Sequence, residues 1–145
     1  MSAQLAAALR IAVVAMFLTA VGAVTPPPAA LAAPPVQISS ASEQILQSLL
    51  AAAADDSGES PSARADRLSA QFLGTPYGAN TLIGSANVPE HLVVELARVD
   101  CFTYADYVEA LKRAHSRDEF VASLIDVRYK DGVVAFENRK HFFTD

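Results

Sequence analysis

The chain has 145 residues, 52% of them apolar and 19% charged, with a mean hydropathy of +0.24. That excludes a disordered polyelectrolyte and leaves room for one domain or two small ones. A net charge of −5 and a pI near 5.1 argue against a nucleic-acid groove, because phosphate binding needs a lysine and arginine surplus, and a single cysteine excludes a disulfide framework and any cysteine-rich zinc site.

In chain order, Met1–Arg10 carries one charged side chain, Arg10, and Ile11–Val24 is an uncharged, mostly apolar run of 14 residues. A membrane-spanning helix needs ~20 residues; the shorter run suits the apolar stretch of a signal peptide. Thr25-Pro26-Pro27-Pro28 stops a helix, and Ala30-Leu31-Ala32 has the small-x-small pattern of a cleavage site. We expect a signal peptide over residues 1–32, cut after Ala32. The product would be an exported bacterial protein, periplasmic or extracellular, with no stable membrane anchor after cleavage.

Residues 33–62 read as a peripheral N-terminal helix and linker. Pro34-Pro35-Val36-Gln37 is extended. Ser40-Ala41-Ser42-Glu43 has capping-box spacing, and Ile45, Leu46, Leu49 and Leu50 follow at helical intervals. Asp55–Glu59 is a polar linker. Ser60-Pro61 opens a second helix with Leu68, Phe72 and Leu73 as its stripe and Gly74 as its stop. Thr75–Ala86 is loop-like. Val88–Ala97 reads as a short helix opened by Pro89-Glu90. Asp100 precedes a stronger helix from Cys101 to about Ala114, and Ser116-Arg117-Asp118-Glu119 opens another with Phe120, Val121 and Leu124 inward. Val127–Tyr129 and Val133–Phe136 read as strands joined at Asp131-Gly132, and a third strand begins near Lys140-His141-Phe142-Phe143. Helices followed by strands predict an α+β fold, with helices on one face of an antiparallel sheet that is incomplete at the C-terminal end.

Cys101 is the first chemistry-bearing residue. It opens a helix and shares the Ala105, Val108, Leu111 and Lys112 face. Free N–H groups and the positive end of the helix dipole favour a thiolate there and suit an oxyanion. A buried, inert core cysteine is the competing reading. His141, forty residues later, could serve as its base; on its own it reads equally as a half-exposed strand histidine. His91 and His115 lack i, i+4 ligand spacing. Leu73-Gly74-Thr75-Pro76-Tyr77 presents a phenol on a fixed turn.

Together Phe72-Leu73-Gly74-Thr75-Pro76-Tyr77, Asp100-Cys101-Phe102-Thr103-Tyr104, Arg128-Tyr129 and Arg139-Lys140-His141-Phe142-Phe143-Thr144-Asp145 resemble the N-acetylmuramoyl-L-alanine amidase-like family, long labelled a domain of unknown function. That family is similar to the NlpC-like, papain-like cell-wall hydrolases. The resemblance runs from about Arg64 to Asp145 and implies a papain-like amidase domain over residues 63–145. It implies Cys101 as nucleophile, His141 as general base and Tyr77 as an oxyanion or substrate-positioning residue. It implies no metal and no cofactor. The substrates implied are peptidoglycan fragments (muropeptides), cut between N-acetylmuramic acid and L-alanine through a thioester. The family's sheet continues beyond the histidine, so the resemblance also implies a C-terminally truncated copy, in which Asp145 is the residue left to orient the imidazole. A stem-peptide endopeptidase of the same superfamily and an inactive wall-associated module are the alternatives.

Overall fold

Short polar side chains set the helix starts. In this computed structural model, which describes residues 35–55 and 58–140, Ser39 accepts the Ser42 N–H at 3.1 Å and starts α1 (Ser40–Ala53). The cap thus lies one residue before the expected box. Glu43, freed from capping, accepts from Gln47 and Arg117 instead. Ser60 caps α2 (Pro61–Ala70), with Pro61 in the first turn where its missing N–H is harmless. Asp100 caps α3 (Cys101–Leu111) and Ser116 caps α4 (Arg117–Arg128). Glu119 reaches back from α4 to accept the His115 N–H at 2.7 Å. The expected signal peptide and the strand from His141 onward lie outside the described residues.

The fold is α+β, four helices with three strands: β1 (Val36–Ile38), β2 (Ile83–Ser85) and β3 (Val88–Val94). The sheet order is β1-β3-β2. β2 pairs antiparallel to β3, with Ile83 opposite His91 and Ser85 opposite Val88, but β1 runs parallel to β3, with Val36 opposite Leu92. The sheet is therefore mixed rather than antiparallel. A parallel pair needs a long crossover, and α1 and α2 supply it.

Three expectations change. The helix expected over Val88–Ala97 is strand β3. Pro89-Glu90 resembles a helix start, but Leu92, Val93 and Val94 are all buried because β3 is the central strand, covered on both faces. The hairpin expected over Val127–Phe136 is absent. Phe120, Val121, Leu124 and Arg128 are all buried at helical spacing, so α4 runs on through Arg128, and the Tyr129 N–H still reaches Ile125 O at 2.9 Å. Asp131 and Gly132 do take positive φ (56° and 66°), yet within a 3₁₀ turn, Lys130–Gly132. A second such turn, Phe136–Asn138, returns the chain so that Arg139, not Val133–Phe136, bridges antiparallel to Tyr129.

The N-terminal segment expected to be peripheral is part of the core. Leu46, Leu49, Leu50 and Ala53 of α1 pack with Leu68, Phe72, Leu92, Leu111, Phe120 and Leu124. Each buried leucine is worth ~1.5–3 kcal/mol, so α1 is integral to stability rather than an appendage. Ser42 ties it down further, donating to Glu95 Oε1 (3.1 Å) and accepting the Leu96 N–H (3.0 Å). Among the described residues no helix is long and apolar enough to cross a membrane, and no three His, Cys, Asp or Glu side chains are grouped to hold a metal ion.

Candidate active site

Cys101 is the first residue of α3, and it is solvent-exposed. The face directed to the core carries Thr103, Asp106, Tyr107, Ala110 and Leu111, with Val108 beside it. The helix is thus turned away from the arrangement expected from the Cys101–Ala105–Val108 stripe. The sulfur is not buried with Val108; it opens on a cleft of about 320 Å³ lined by Phe72, Leu73, Thr75, Tyr77, Asp100 and Tyr104, among others.

The first-turn N–H groups are only partly available. Asp100 Oδ1 accepts the Phe102 N–H at 3.0 Å, the Thr103 N–H at 2.8 Å and the Thr103 hydroxyl at 2.9 Å. Thr103 Oγ1 in turn accepts the Asp100 N–H at 3.1 Å, closing a capping box. The expectation that several free N–H groups surround the thiol is corrected: the cap carboxylate occupies two of them. The Cys101 N–H itself has no hydrogen-bond partner among the described residues.

Tyr77 shares the cleft and is 76% exposed. Its loop is fixed rather than free. The Gly78 N–H donates to Val99 O and the Val99 N–H to Pro76 O, both at 3.0 Å, so Tyr77 bridges in parallel to a residue two positions before Cys101. Gly78 permits the close approach, because a Cβ there would lie 2.6 Å from Arg98 Cγ and Cδ. The cleft wall is apolar: Leu73 is 84% exposed, and Tyr104 meets Phe72 edge-on with ring centroids 5.4 Å apart. The sequence places Tyr104 and Thr103 in the motif around Cys101 but assigns neither a role. Tyr104 stands three residues after Cys101, on the same helical face, and Thr103 occupies the third position of an Asp-capped helix.

Behind α3 lies a buried ion pair. Arg128, wholly buried, donates from Nε to Asp106 Oδ2 and from Nη1 to Val93 O, both at 2.8 Å, and its guanidinium lies 5.3 Å from the Tyr107 ring centroid. Among the described residues, the buried Arg128 Nη2 has no hydrogen-bond partner. Burial pushes the Asp106 carboxyl up, and the guanidinium only partly draws it back. Burial opposes the Arg128 charge, but Tyr107 and Asp106 outweigh it. These contacts lock α4 and β3 to the helix that carries Cys101.

His141 and Asp145 lie outside the described residues. Lys140, the last described residue, donates its N–H to Arg128 O at 2.9 Å. It lines a cavity of about 240 Å³ with Asp100, Phe102 and Thr103 at the start of α3. His91 sits half-buried on β3, its Nδ1 3.2 Å from Gln37 Nε2, and His115 is exposed; neither lines the Cys101 cleft.

A family model described as N-acetylmuramoyl-L-alanine amidase-like (AmiA-like) matches residues 67–145, more than half of the chain. No curated protein matches it. Among solved structures, a Legionella pneumophila str. Philadelphia 1 protein of the DUF1460 family model is similar at 30% identity and TM-score 0.58, over 69% of this chain and 34% of that one. Two structures of an N-acetylmuramoyl-L-alanine amidase from Bacteroides uniformis ATCC 8492 are 33% and 37% identical over 48% of this chain and 32% and 30% of theirs, with TM-scores of 0.43 and 0.42. The chain thus spans about a third of the length of these solved structures. The chain belongs to the N-acetylmuramoyl-L-alanine amidase-like family.

Proposed function

We propose that this chain is an exported cysteine hydrolase of peptidoglycan turnover that cleaves the amide between N-acetylmuramic acid and L-alanine. The observation that carries the reading is the exposed Cys101 at the mouth of α3, on a cleft it shares with Tyr77. A nucleophile at a helix N-terminus is also what a papain-like arrangement requires. Export rests on the apolar run Ile11–Val24 followed by Ala30-Leu31-Ala32.

The Cys101 thiolate attacks the lactyl carbonyl carbon, forming a C–S bond. The oxyanion is held by the Cys101 N–H with the Tyr77 phenol beside it. His141, having taken the thiol proton, returns it to the alanine nitrogen as the C–N bond breaks. A thioester remains on Cys101. His141 then draws a proton from water, the hydroxide adds to the thioester carbon, and the C–S bond breaks to free the muramic acid carboxylate and the thiolate. Asp145 is the residue proposed to orient the imidazole.

The test is hydrolysis of a muramoyl-L-alanyl peptide by the wild-type chain and by Cys101→Ala, followed by product mass. The reading expects free muramic acid and an alanine-terminated peptide from the wild type and neither from the variant. Equal rates would remove Cys101 from the mechanism. Cleavage within the peptide, with the muramoyl amide intact, would make the chain a stem-peptide endopeptidase.

A further inference from the structure

In the helix expected over Val88–Ala97, Glu90 would be a first-turn surface residue. Its carboxylate is 2% exposed, far from the surface position such a residue would have. It accepts the Tyr129 hydroxyl at 2.7 Å and Arg139 Nε at 3.0 Å, and Arg139 Nη2 bonds its second oxygen. Arg139 is held from its other side by the Phe136 ring, with 5.2 Å from the guanidinium carbon to the centroid.

The chain makes room for this pair. Gly84 on β2 has φ +142°, and a Cβ there would fall 1.8 Å from Glu90 Oε2 and 2.9 Å from Arg139 Nη2. Four separated stretches of sequence therefore converge on one buried, forked ion pair. Burying two charges is expensive for stability alone, and an apolar set of similar volume would pack as well. What the fork supplies is direction, since a bidentate guanidinium–carboxylate contact fixes angle as well as distance.

The segment being fixed is the one that leads to the proposed base. Arg139 bridges antiparallel to Tyr129, the Lys140 N–H is held on Arg128 O, and Lys140 lines the cavity that reaches Asp100 and Thr103 at the start of α3. His141 follows Lys140 directly in the sequence. We propose that Glu90 is a positioning residue, which through Arg139 and Tyr129 sets where the chain delivers His141. This rests on the reading of His141 as general base given above.

The test uses the full chain and the variant E90Q/R139M, in which neutral side chains of similar size replace the pair and no unpaired charge is left buried. Two readouts are taken: backbone amide order parameters by NMR, and kcat and KM on a muramoyl-L-alanyl peptide. In the wild type the His141 amide should be as rigid as Tyr104, with an order parameter of about 0.85. In E90Q/R139M the His141 value should fall below about 0.6 while Tyr104 holds. A base displaced by about 1 Å loses roughly 100-fold in rate, so kcat should drop by that order with KM within about twofold. R139K keeps the charge and loses the fork. It should fall between the two, and it decides the matter if the double variant does not fold. An unchanged His141 order parameter in the folded variant, or a His141 already loose in the wild type, overturns the proposal whatever the activity. H141A as active as the wild type would instead refute the base reading, and the order parameters would still decide the clamp.

Discussion

Replacing Arg128 by Met tests how the platform under Cys101 is held. The arginine is wholly buried, and its partner Asp106 has a side chain only 7% exposed. Removing the cation leaves a carboxylate stranded between α3 and β3, and Val93 O loses its donor. Breaking one side of a buried pair costs ~3–5 kcal/mol, a large part of the ~5–15 kcal/mol that holds a domain together. With a urea dependence of ~1.5 kcal/mol per molar, the midpoint should fall by roughly 2–3 M at pH 7. The loss should depend on pH in a definite sense. Burial already raises the Asp106 carboxyl, and Arg128 is among the groups that restrain the rise. Without Arg128 the folded-state value climbs further above the unfolded ~3.9. A group raised on folding contributes stability that is fully present below its unfolded value and is lost as pH rises. The Arg128→Met penalty should therefore shrink from pH 7 toward pH 4, by up to ~1.4 kcal/mol per unit within the window. D106N/R128M, which strands no charge, should recover most of the loss and show little pH dependence. Urea titrations at pH 4, 5.5 and 7 measure all of this. A penalty that is flat with pH, or a double variant as unstable as the single, would show that charge burial is not its source.

Asp100→Ala removes an acceptor of three hydrogen bonds at the start of α3 and should cost ~1–2 kcal/mol in urea unfolding, while Asp100→Asn keeps most of the cap. Gly78→Ala drives a methyl to 2.6 Å from Arg98 Cγ and Cδ and 2.8 Å from Arg98 Cβ, so its melting temperature should drop by about 4–8 °C for each of the ~1–3 kcal/mol of overpacking, and adding Arg98→Ala, which keeps the Cβ, should restore only part of it. Burial, then the Glu90 hydrogen bond, raises the Tyr129 phenol above its ordinary range. Its stabilising contribution is present below the unfolded value of ~10 and is lost progressively as pH rises above it toward the higher folded-state value, so wild-type urea midpoints should fall from about pH 10 upward more steeply than those of Tyr129→Phe.

What was legible in the sequence was local. Ser60-Pro61, Asp100 and Ser116 mark their helix starts, because a cap is decided by residues three positions apart. Cys101 at a helix mouth followed from Asp100 in the same way. What failed were segments whose local signal competed with distant partners. Pro89-Glu90 looks like a helix start until β1 and β2 flank the segment on both edges. Asp131-Gly132 does adopt the positive φ values of a hairpin turn, but Arg128 is drawn into α4 by Asp106, 22 residues away, and the strand pairing passes to Arg139.

The clamp on Glu90 marks where such reading stops. Its partners lie 39 and 49 residues away, and no periodicity connects them. One signal was present all the same. Val88, Glu90, Leu92 and Val94 alternate along β3 with Pro89, His91 and Val93 between them, so a strand reading would have placed a carboxylate in line with two buried side chains. A buried carboxylate must find a cation or a donor. The cations later in the chain that stand beside a residue with its own chemical role are few, and Arg139, two before His141, is one of them. The step from strand to site was therefore available in principle. It required recognising β3 first, because the same glutamate on a helix would have faced water and needed no partner at all.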